Sequence, residues 1–570
     1  MDSPDDSYDE IMAQAGNDGK FQRRYNLIFN FGAICFASMS YMSIILALNK
    51  PPHNCHVPGM DRYNITDANL WKNLTLPRET DNRGQLGFSK CQMYNVTEQH
   101  LQRHYSEWSF GSDDIIDCAY GYDYDRTYYD RTPITEYDWV CDKGFRETNI
   151  FIYNRLGELV GTVIFGHLGD TLGRRPVFYL SILIITVGRL ISMFTAAYYV
   201  VFCIAAAIGS MSAQSILQSP LIIAMEISKS ELRGRISMVQ CFGWTTGLCI
   251  LAMVFWATKD WFWSLMIITV PIALFMFIPR YTIESPRWLA TQGNYREAMV
   301  QLRRIASING IRELAFDEQM LEKQLANHRS DTVIVCSVTY LTLVLLSSRM
   351  DGNPFLNFMY QALIEVPAAL VAQRASDRVG RRATNAVALV CAAAVCFILV
   401  LIVRDPASEM AATALVTFVK FCIGITFFVV NLRSIEIYPT CLRQTGLSVG
   451  TIAATIFGIV GPYVVHLGTE YDVRYPYLVM GFTSAVGAMA ALFLPETLHQ
   501  SLPNTIEETQ QFGKHQRFWS LPKPPKATAE QEDGTDKRPY GGDAKPEESM
   551  RLAVSVDDDE KAQPTDDGRK

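Results

Sequence analysis

Long apolar stretches separated by strongly polar ones decide what this chain can fold into. Nearly unbroken apolar runs cover residues 27–48, 177–208, 253–278 and 333–346. A hydrocarbon core about 30 Å thick is crossed by roughly 20 helical residues. A soluble chain of this length would instead show short periodic segments. The mean hydropathy of only +0.07 conceals this segregation by averaging spans with polar segments. Twelve spans are predicted, near 27–48, 146–168, 176–197, 199–225, 235–257 and 261–279, then 333–350, 355–373, 384–403, 410–431, 445–466 and 475–494. The first 20 residues are acidic and polar, unlike a cleaved leader, so the first apolar run is expected to be a retained span. The expected class is an all-α membrane protein.

Two independent signals orient the chain. The sequons at Asn64, Asn73 and Asn95 all fall in the polar segment 49–145, as do Cys55, Cys91, Cys118 and Cys141. Glycosylation acceptors and disulfides both belong outside the cytosol. Four cysteines allow three pairings, and the other nine lie in or beside apolar spans, where a buried thiol is the ordinary state. The connections after spans 2, 4, 8 and 10 hold Arg174, Arg175, Lys229, Arg233, Arg235, Arg374, Arg378, Arg381, Arg382 and Arg443. Those after spans 5, 7, 9 and 11 hold only Lys259, Arg349, Arg404 and Arg474. Positive charge marks the cytoplasmic side, which places both termini there and 49–145 outside. A plasma-membrane location is expected.

The second half of the chain repeats the first. Gly166-His-Leu-Gly-Asp170-Thr-Leu-Gly173-Arg174-Arg175 follows span 2, and Gln373-Arg-Ala-Ser-Asp377-Arg-Val-Gly380-Arg381-Arg382 follows span 8. Glu226 precedes Arg233 by the same spacing as Glu436 precedes Arg443, and Glu284 after span 6 corresponds to Glu496 after span 12. The offsets between acidic partners are 207, 210 and 212 residues. Two six-span repeats imply a binding site between them near the bilayer midplane, exposed alternately by rocking. Asp170, Arg174, Arg175, Glu226, Arg233, Glu284 and Arg287, with Asp377, Arg381, Arg382, Glu436, Arg443 and Glu496, are expected to form ion pairs across the cytoplasmic mouth. Such pairs are weak singly but can bias a two-state equilibrium.

These motifs resemble the major facilitator superfamily, whose signature loop is similar to segment 166–175. A narrower resemblance is to the organic cation, organic anion and carnitine transporter family. It rests on the large cysteine-bearing first outer loop and on Thr135-Glu-Tyr-Asp-Trp-Val-Cys141-Asp142. It also rests on Glu284-Ser-Pro-Arg-Trp288-Leu289, Glu436-Ile-Tyr-Pro439-Thr440, Arg443-Gln-Thr-Gly446 and Leu494-Pro-Glu-Thr-Leu498. The resemblance spans about residues 20–510 and implies the major facilitator fold: twelve helices in two pseudo-symmetric halves. The resulting organisation is a cytoplasmic tail 1–26, a first half 27–279, a cytoplasmic linker 280–332, a second half 333–494 and a largely disordered cytoplasmic tail 495–570.

Ionisable residues inside a bilayer are costly and are therefore functional candidates. Arg155 and Glu158 share one face of span 2, as a self-neutralising structural pair or as substrate ligands. The resembled family is usually apolar there. Glu365, in Ile364-Glu-Val-Pro367, is similar to a family motif near the cation site. Lys420 lies in span 10, Arg433 near its inner end, and Arg189 in span 3 is expected to snorkel. The resemblance implies a charge at position 455, Asp in cation carriers and Arg in anion or carnitine carriers, but this chain has Thr455. Gln240 and Tyr360 match cavity-facing family positions. Trp244, Tyr340, Tyr41, Phe427 and Phe428 supply further aromatic faces for an ammonium group, though most span aromatics only pack.

The leading expectation is a carrier of small organic cations or zwitterions. An organic anion exchanger using Arg155, Lys420 or Arg433 and a non-transporting receptor on the same fold stand as alternatives. No metal cluster, nucleophile elbow or G-x-x-x-x-G-K-[ST] loop is present, so neither an enzyme nor an ATP-driven pump is indicated. No cofactor, metal or nucleic-acid partner is expected. The partners are a small organic ion and the lipid bilayer, and coupling to Na+ or H+ is compatible with the fold.

Overall fold

The computed structural model describes residues 12–60, 67–80, 86–96, 108, 110–229, 232–279, 281–311, 353–403, 409–437 and 443–498. All belong to the first of two compact units, Met1–Lys523. The first half contains α1 (Lys20–Ala47), α2 (Phe145–Thr171), α3 (Arg174–Phe194), α4 (Tyr199–Glu226), α5 (Arg233–Thr258) and α6 (Trp261–Phe277). The linker contributes α7 (Tyr295–Asn309). The second half contains α8 (Pro354–Val379), α9 (Arg381–Ile402), α10 (Met410–Ile437), α11 (Thr445–Gly468) and α12 (Tyr475–Phe493). Nine helices among the described residues are long and apolar enough to cross a membrane, and α6 is a shorter apolar one. α2 has 27 residues but carries Arg146, Glu147, Arg155, Glu158 and Asp170. The span expected at 333–350, with Tyr340, lies outside the described residues, as do Asn64 and 499–570.

Local chemistry sets the breaks. Pro367 lacks an N–H and its ring crowds the carbonyl of Leu363, and α8 breaks at Ile364 between Pro354–Leu363 and Glu365–Val379. α5 ends on Lys259 in the left-handed conformation, and Asp260 then caps α6 by accepting from the backbone N–H groups of Phe262 and Trp263. Small residues let backbones touch: a Cβ on Gly157 would meet the carbonyl oxygen of Ala207 at 2.2 Å, and one on Gly161 that of Met211 at 1.9 Å. These contacts hold α2 against α4, the close approach that glycines permit between membrane helices. Large apolar side chains such as Phe194, Val200, Phe277, Leu401, Phe482 and Phe493 remain exposed around the bundle. So broad an apolar belt is foreign to a soluble monomer and fits contact with lipid.

The described residues of segment 49–145 include three two-stranded antiparallel ladders and the helix Ala68–Thr75. Disulfides join Cys55 to Cys118 and Cys91 to Cys141, one of the three open pairings. His53 lies beside Cys91 and Cys141 in a metal-like triad, but the disulfide consumes both thiolates. Asn73 and Asn95 are exposed. At the opposite end of the bundle the chain before α1 is anchored on α7: Asn309 donates to the carbonyls of Ala15 and Gly16 and accepts from the Phe21 N–H. Met12, Ala15 and Phe21 are buried there with Leu302, Ile305 and Ala306, so part of the expected tail 1–26 is packed structure.

Candidate functional site

The first site lies among α1, α2, α3 and α4. Arg155 and Glu158, one turn apart on α2, pair at 2.5 Å. Arg155 also donates to the Tyr41 hydroxyl at 2.8 Å, and that hydroxyl lies 3.1 and 3.3 Å from the Glu158 oxygens. Gln214 of α4 donates to Glu158 at 2.5 Å, so both carboxylate oxygens are engaged by neighbours. The Arg155 guanidinium covers the Tyr41 ring at 5.7 Å, which removes one of the aromatic faces expected for an ammonium group. Arg189 of α3 does not snorkel: it is 1% exposed and donates to the Tyr41 carbonyl at 3.4 Å. Its helix is drawn in where a Cβ on Gly188 would meet Gly209 at 2.5 Å, and this close crossing turns Arg189 into the bundle rather than toward lipid headgroups. Tyr41, Asn154, Arg155, Glu158, Arg189 and Ser210 line one cavity, to which the second half contributes Pro462.

The second half buries its own pair. Lys420 of α10 meets Glu365 at 2.8 Å, just past the break in α8. Both are ion pairs formed within a half; the sequence anticipated such a pair for Arg155 with Glu158, and treated Glu365 and Lys420 as separate candidates. Among the other candidates, Gln240 donates to the Leu217 carbonyl at 2.7 Å, and the Trp244 ring lies 6.1 Å from that of Tyr41. Thr455 is buried, and its hydroxyl is turned onto its own helix, 2.8 Å from the Thr451 carbonyl. Tyr360 is 56% exposed, Phe427 is also exposed and Phe428 is buried.

The repeated motifs build matching clusters at the end of the bundle opposite the disulfide-bonded loop. In the first half Glu284 accepts from the N–H groups of Arg174, Arg175 and Ser285 at 3.0–3.1 Å. In the second, Glu496 accepts from those of Arg381, Arg382, Thr497 and Leu498 at 2.8–3.2 Å. Each carboxylate caps the positive N-terminus of a helix. The preceding glycines require it: Gly173 and Gly380 have φ of +102° and +100°, and a Cβ on either would lie within 2.5 Å of the capping carboxylate. Burial pushes the Glu284 carboxyl above its ordinary value, and the backbone N–H groups around it oppose that rise.

Four ion pairs of these clusters, among the described residues, lie within a half, where the sequence suggested pairs across the mouth. Arg174 reaches Asp170 at 3.2 Å and Glu226 at 4.0 Å, and Arg381 reaches Asp377 at 3.4 Å and Glu436 at 3.2 Å. Arg233 and Arg287 are buried in the first-half cluster region, and the Arg443 side chain lies outside the described residues. Arg433, near the inner end of span 10, donates to the Pro495 carbonyl at this end. What does cross between the halves is Asp170, whose carboxylate accepts from the N–H and the hydroxyl of Thr445 at 2.8 and 2.6 Å. Both atoms belong to the first turn of α11, an N-terminal turn with free donors.

Sequence reasoning did not single out Asn154, Gln214, Ser210 or Thr445. Gln214 carried a usable signal, an amide inside an apolar span, and Asn154 stands next to Arg155. Thr445 stands inside the motif Arg443–Gly446, but its partner was not readable because the contact depends on the meeting of two halves.

Residues 119–346 match the family model described as sugar (and other) transporter, and residues 355–528 the one described as Major Facilitator Superfamily. A beta-alanine transporter of Drosophila melanogaster is 26% identical over 557 residues, covering 88% of this chain and 89% of that protein. Organic cation/carnitine transporter 2 of Mus musculus is 29% identical over 542 residues, covering 88% and 93%. The proton:xylose symporter XylE bound to 6-bromo-6-deoxy-D-glucose superposes with a TM-score of 0.56 at 14% identity, over 86% of this chain and 98% of that one, a likeness of fold alone. The two transporter models matched in succession and the relatives along nearly its whole length mark the chain as similar to the organic cation/carnitine transporters, on the major facilitator fold.

Proposed function

We propose that this protein carries small organic cations or zwitterions across the plasma membrane by alternating access between its two halves. In this reading the termini are cytoplasmic, the disulfide-bonded loop is outside and glycosylated, and the third sequon, Asn64, shares that loop. The observation that carries it is the burial of paired charges inside spans of both halves, Arg155–Glu158 and Lys420–Glu365. Buried ion pairs give little net stability over apolar packing, so their presence in a bilayer points to work on a charged cargo. The named cargoes of the relatives, carnitine and beta-alanine, both join an amine or quaternary nitrogen to a carboxylate.

Uptake of labelled L-carnitine, beta-alanine, tetraethylammonium and an aromatic carboxylate into expressing cells, with and without sodium, tests it. Uptake of the nitrogen-bearing compounds above mock-transfected cells is expected. Movement of the aromatic carboxylate alone, in exchange for an internal anion, supports the anion exchanger instead. Binding of a ligand that never crosses the membrane supports the receptor.

A further inference from the structure

We propose that Arg189 and Asn154 form an anion subsite in the first half that receives the carboxylate of a zwitterionic substrate. This deepens the transport reading and rests on it. The cavity wall carries two guanidinium groups, Arg155 and Arg189, against one carboxylate, Glu158. Glu158 is already shared by Arg155, Tyr41 and Gln214. No carboxylate lies within 4 Å of Arg189 among the described residues, and its Nε and one terminal nitrogen have no hydrogen-bond partner. The contact it does make, 3.4 Å to the neutral Tyr41 carbonyl, leaves its charge uncompensated. A fully buried cation without a counter-charge is strongly disfavoured, and a bound anion relieves that.

A second donor points to the same ligand. The amide nitrogen of Asn154 is buried without a partner, while its oxygen lies 3.0 Å from the Ser210 hydroxyl. A guanidinium edge and an amide N–H₂ on one cavity are donors without an acceptor, the complement of a carboxylate. The water-accessible space of about 20 Å³ has room for one small polar group, not a whole organic ion. The remainder of the substrate needs more space than this, and Pro462 is the lining residue that the second half contributes.

The test uses the full-length protein purified in detergent, with thermal stabilisation as the readout of binding. L-Carnitine and beta-alanine are compared with their methyl esters, which keep the nitrogen and lose the anion; acetate and chloride are titrated alongside. Wild-type protein is expected to prefer each free acid to its ester by about ten- to a hundred-fold, the range of one charged hydrogen-bonded contact. Arg189→Gln is expected to abolish that preference and the stabilisation by acetate, and Arg189→Lys to retain part of both. A structural role for Arg189 would weaken acid and ester alike and leave their ratio unchanged, which overturns the proposal. Equal binding of acid and ester to wild type, or stabilisation by chloride but not by acetate, also overturns it, and neither result needs a folded variant. If esters bind and are transported while acids are not, the carrier reading stands and the subsite falls. If neither L-carnitine nor beta-alanine nor their esters bind but acetate stabilises wild type through Arg189, the subsite stands and the choice of cargo falls.

Discussion

At the scale of single residues, the buried pair of Glu365 and Lys420 joins two candidates that the sequence left as separate charges, 2.8 Å apart inside the second half. Removing one member leaves the other charged and buried, whereas removing both leaves an apolar contact. Glu365→Gln alone is expected to lower thermal stability by about 3–5 kcal/mol, and Glu365→Met with Lys420→Met to recover most of that. Melting of the purified variants checks both values. Uptake is expected to fail in the double variant although its stability returns, as the proposed work of the pair on a charged cargo requires. Equal stability of Glu365→Gln and wild type would show that the two charges do not depend on each other.

At the scale of elements, the outer loop folds on chemistry of its own. His53 is buried between the rings of Tyr122 and Tyr124, on the ladder that Cys55 and Cys118 close. Burial, helped by the charge of Lys50, pushes its imidazole down to about 4. The neutral ring is thus favoured in the folded loop, while an unfolded loop takes up a proton at the ordinary value near 6.5. The resulting stability is fully present above about pH 6.5 and is lost as the pH falls toward 4, by roughly 3 kcal/mol in all. Hydrogen exchange of residues 49–60 and 110–130 at pH 7 and pH 4.5 reports the loss, and His53→Asn is expected to flatten it. The bent helix α8 is the other element with a readable cause, since Pro367 places the break beside Glu365.

At the scale of the whole molecule, the duplicated halves differ where they meet. Asp170 is 7% exposed and bound to Thr445 of α11, whereas the Asp377 side chain is 47% exposed. Thr445 stands two residues after Arg443, and the position two after Arg233 is Arg235, an exposed side chain too long to repeat the contact. Among the described residues the Asp170–Thr445 contact between the halves has no counterpart at Asp377, so a latch role for it would be one-sided. Thr445→Val removes its hydroxyl and keeps the backbone N–H, so the closed arrangement should lose a charged hydrogen bond of about 1.5 kcal/mol. A shift of roughly ten-fold toward the arrangement open at this end is expected. Distances between spin labels at the exposed positions Arg235 and Arg374 measure it, and an unchanged distribution would refute the latch.

The amino-acid sequence by itself determined the architecture, because spans, repeats and helix-stop residues are one-dimensional patterns. A bilayer forces each apolar run of about 20 residues into a helix, and duplication wrote Gly173 with Glu284 and Gly380 with Glu496 into matching places. Tertiary structure alone decided who partners whom. Arg155 and Glu158 are neighbours on one helix and their pairing was readable. The joining of Cys55 to Cys118, Glu365 to Lys420 and Asp170 to Thr445 depends on chain distances that no local pattern encodes. The same holds for Arg189: a cation in an apolar span reads as a snorkelling side chain until the crossing of Gly188 with Gly209 turns it inward, where its charge has to be met.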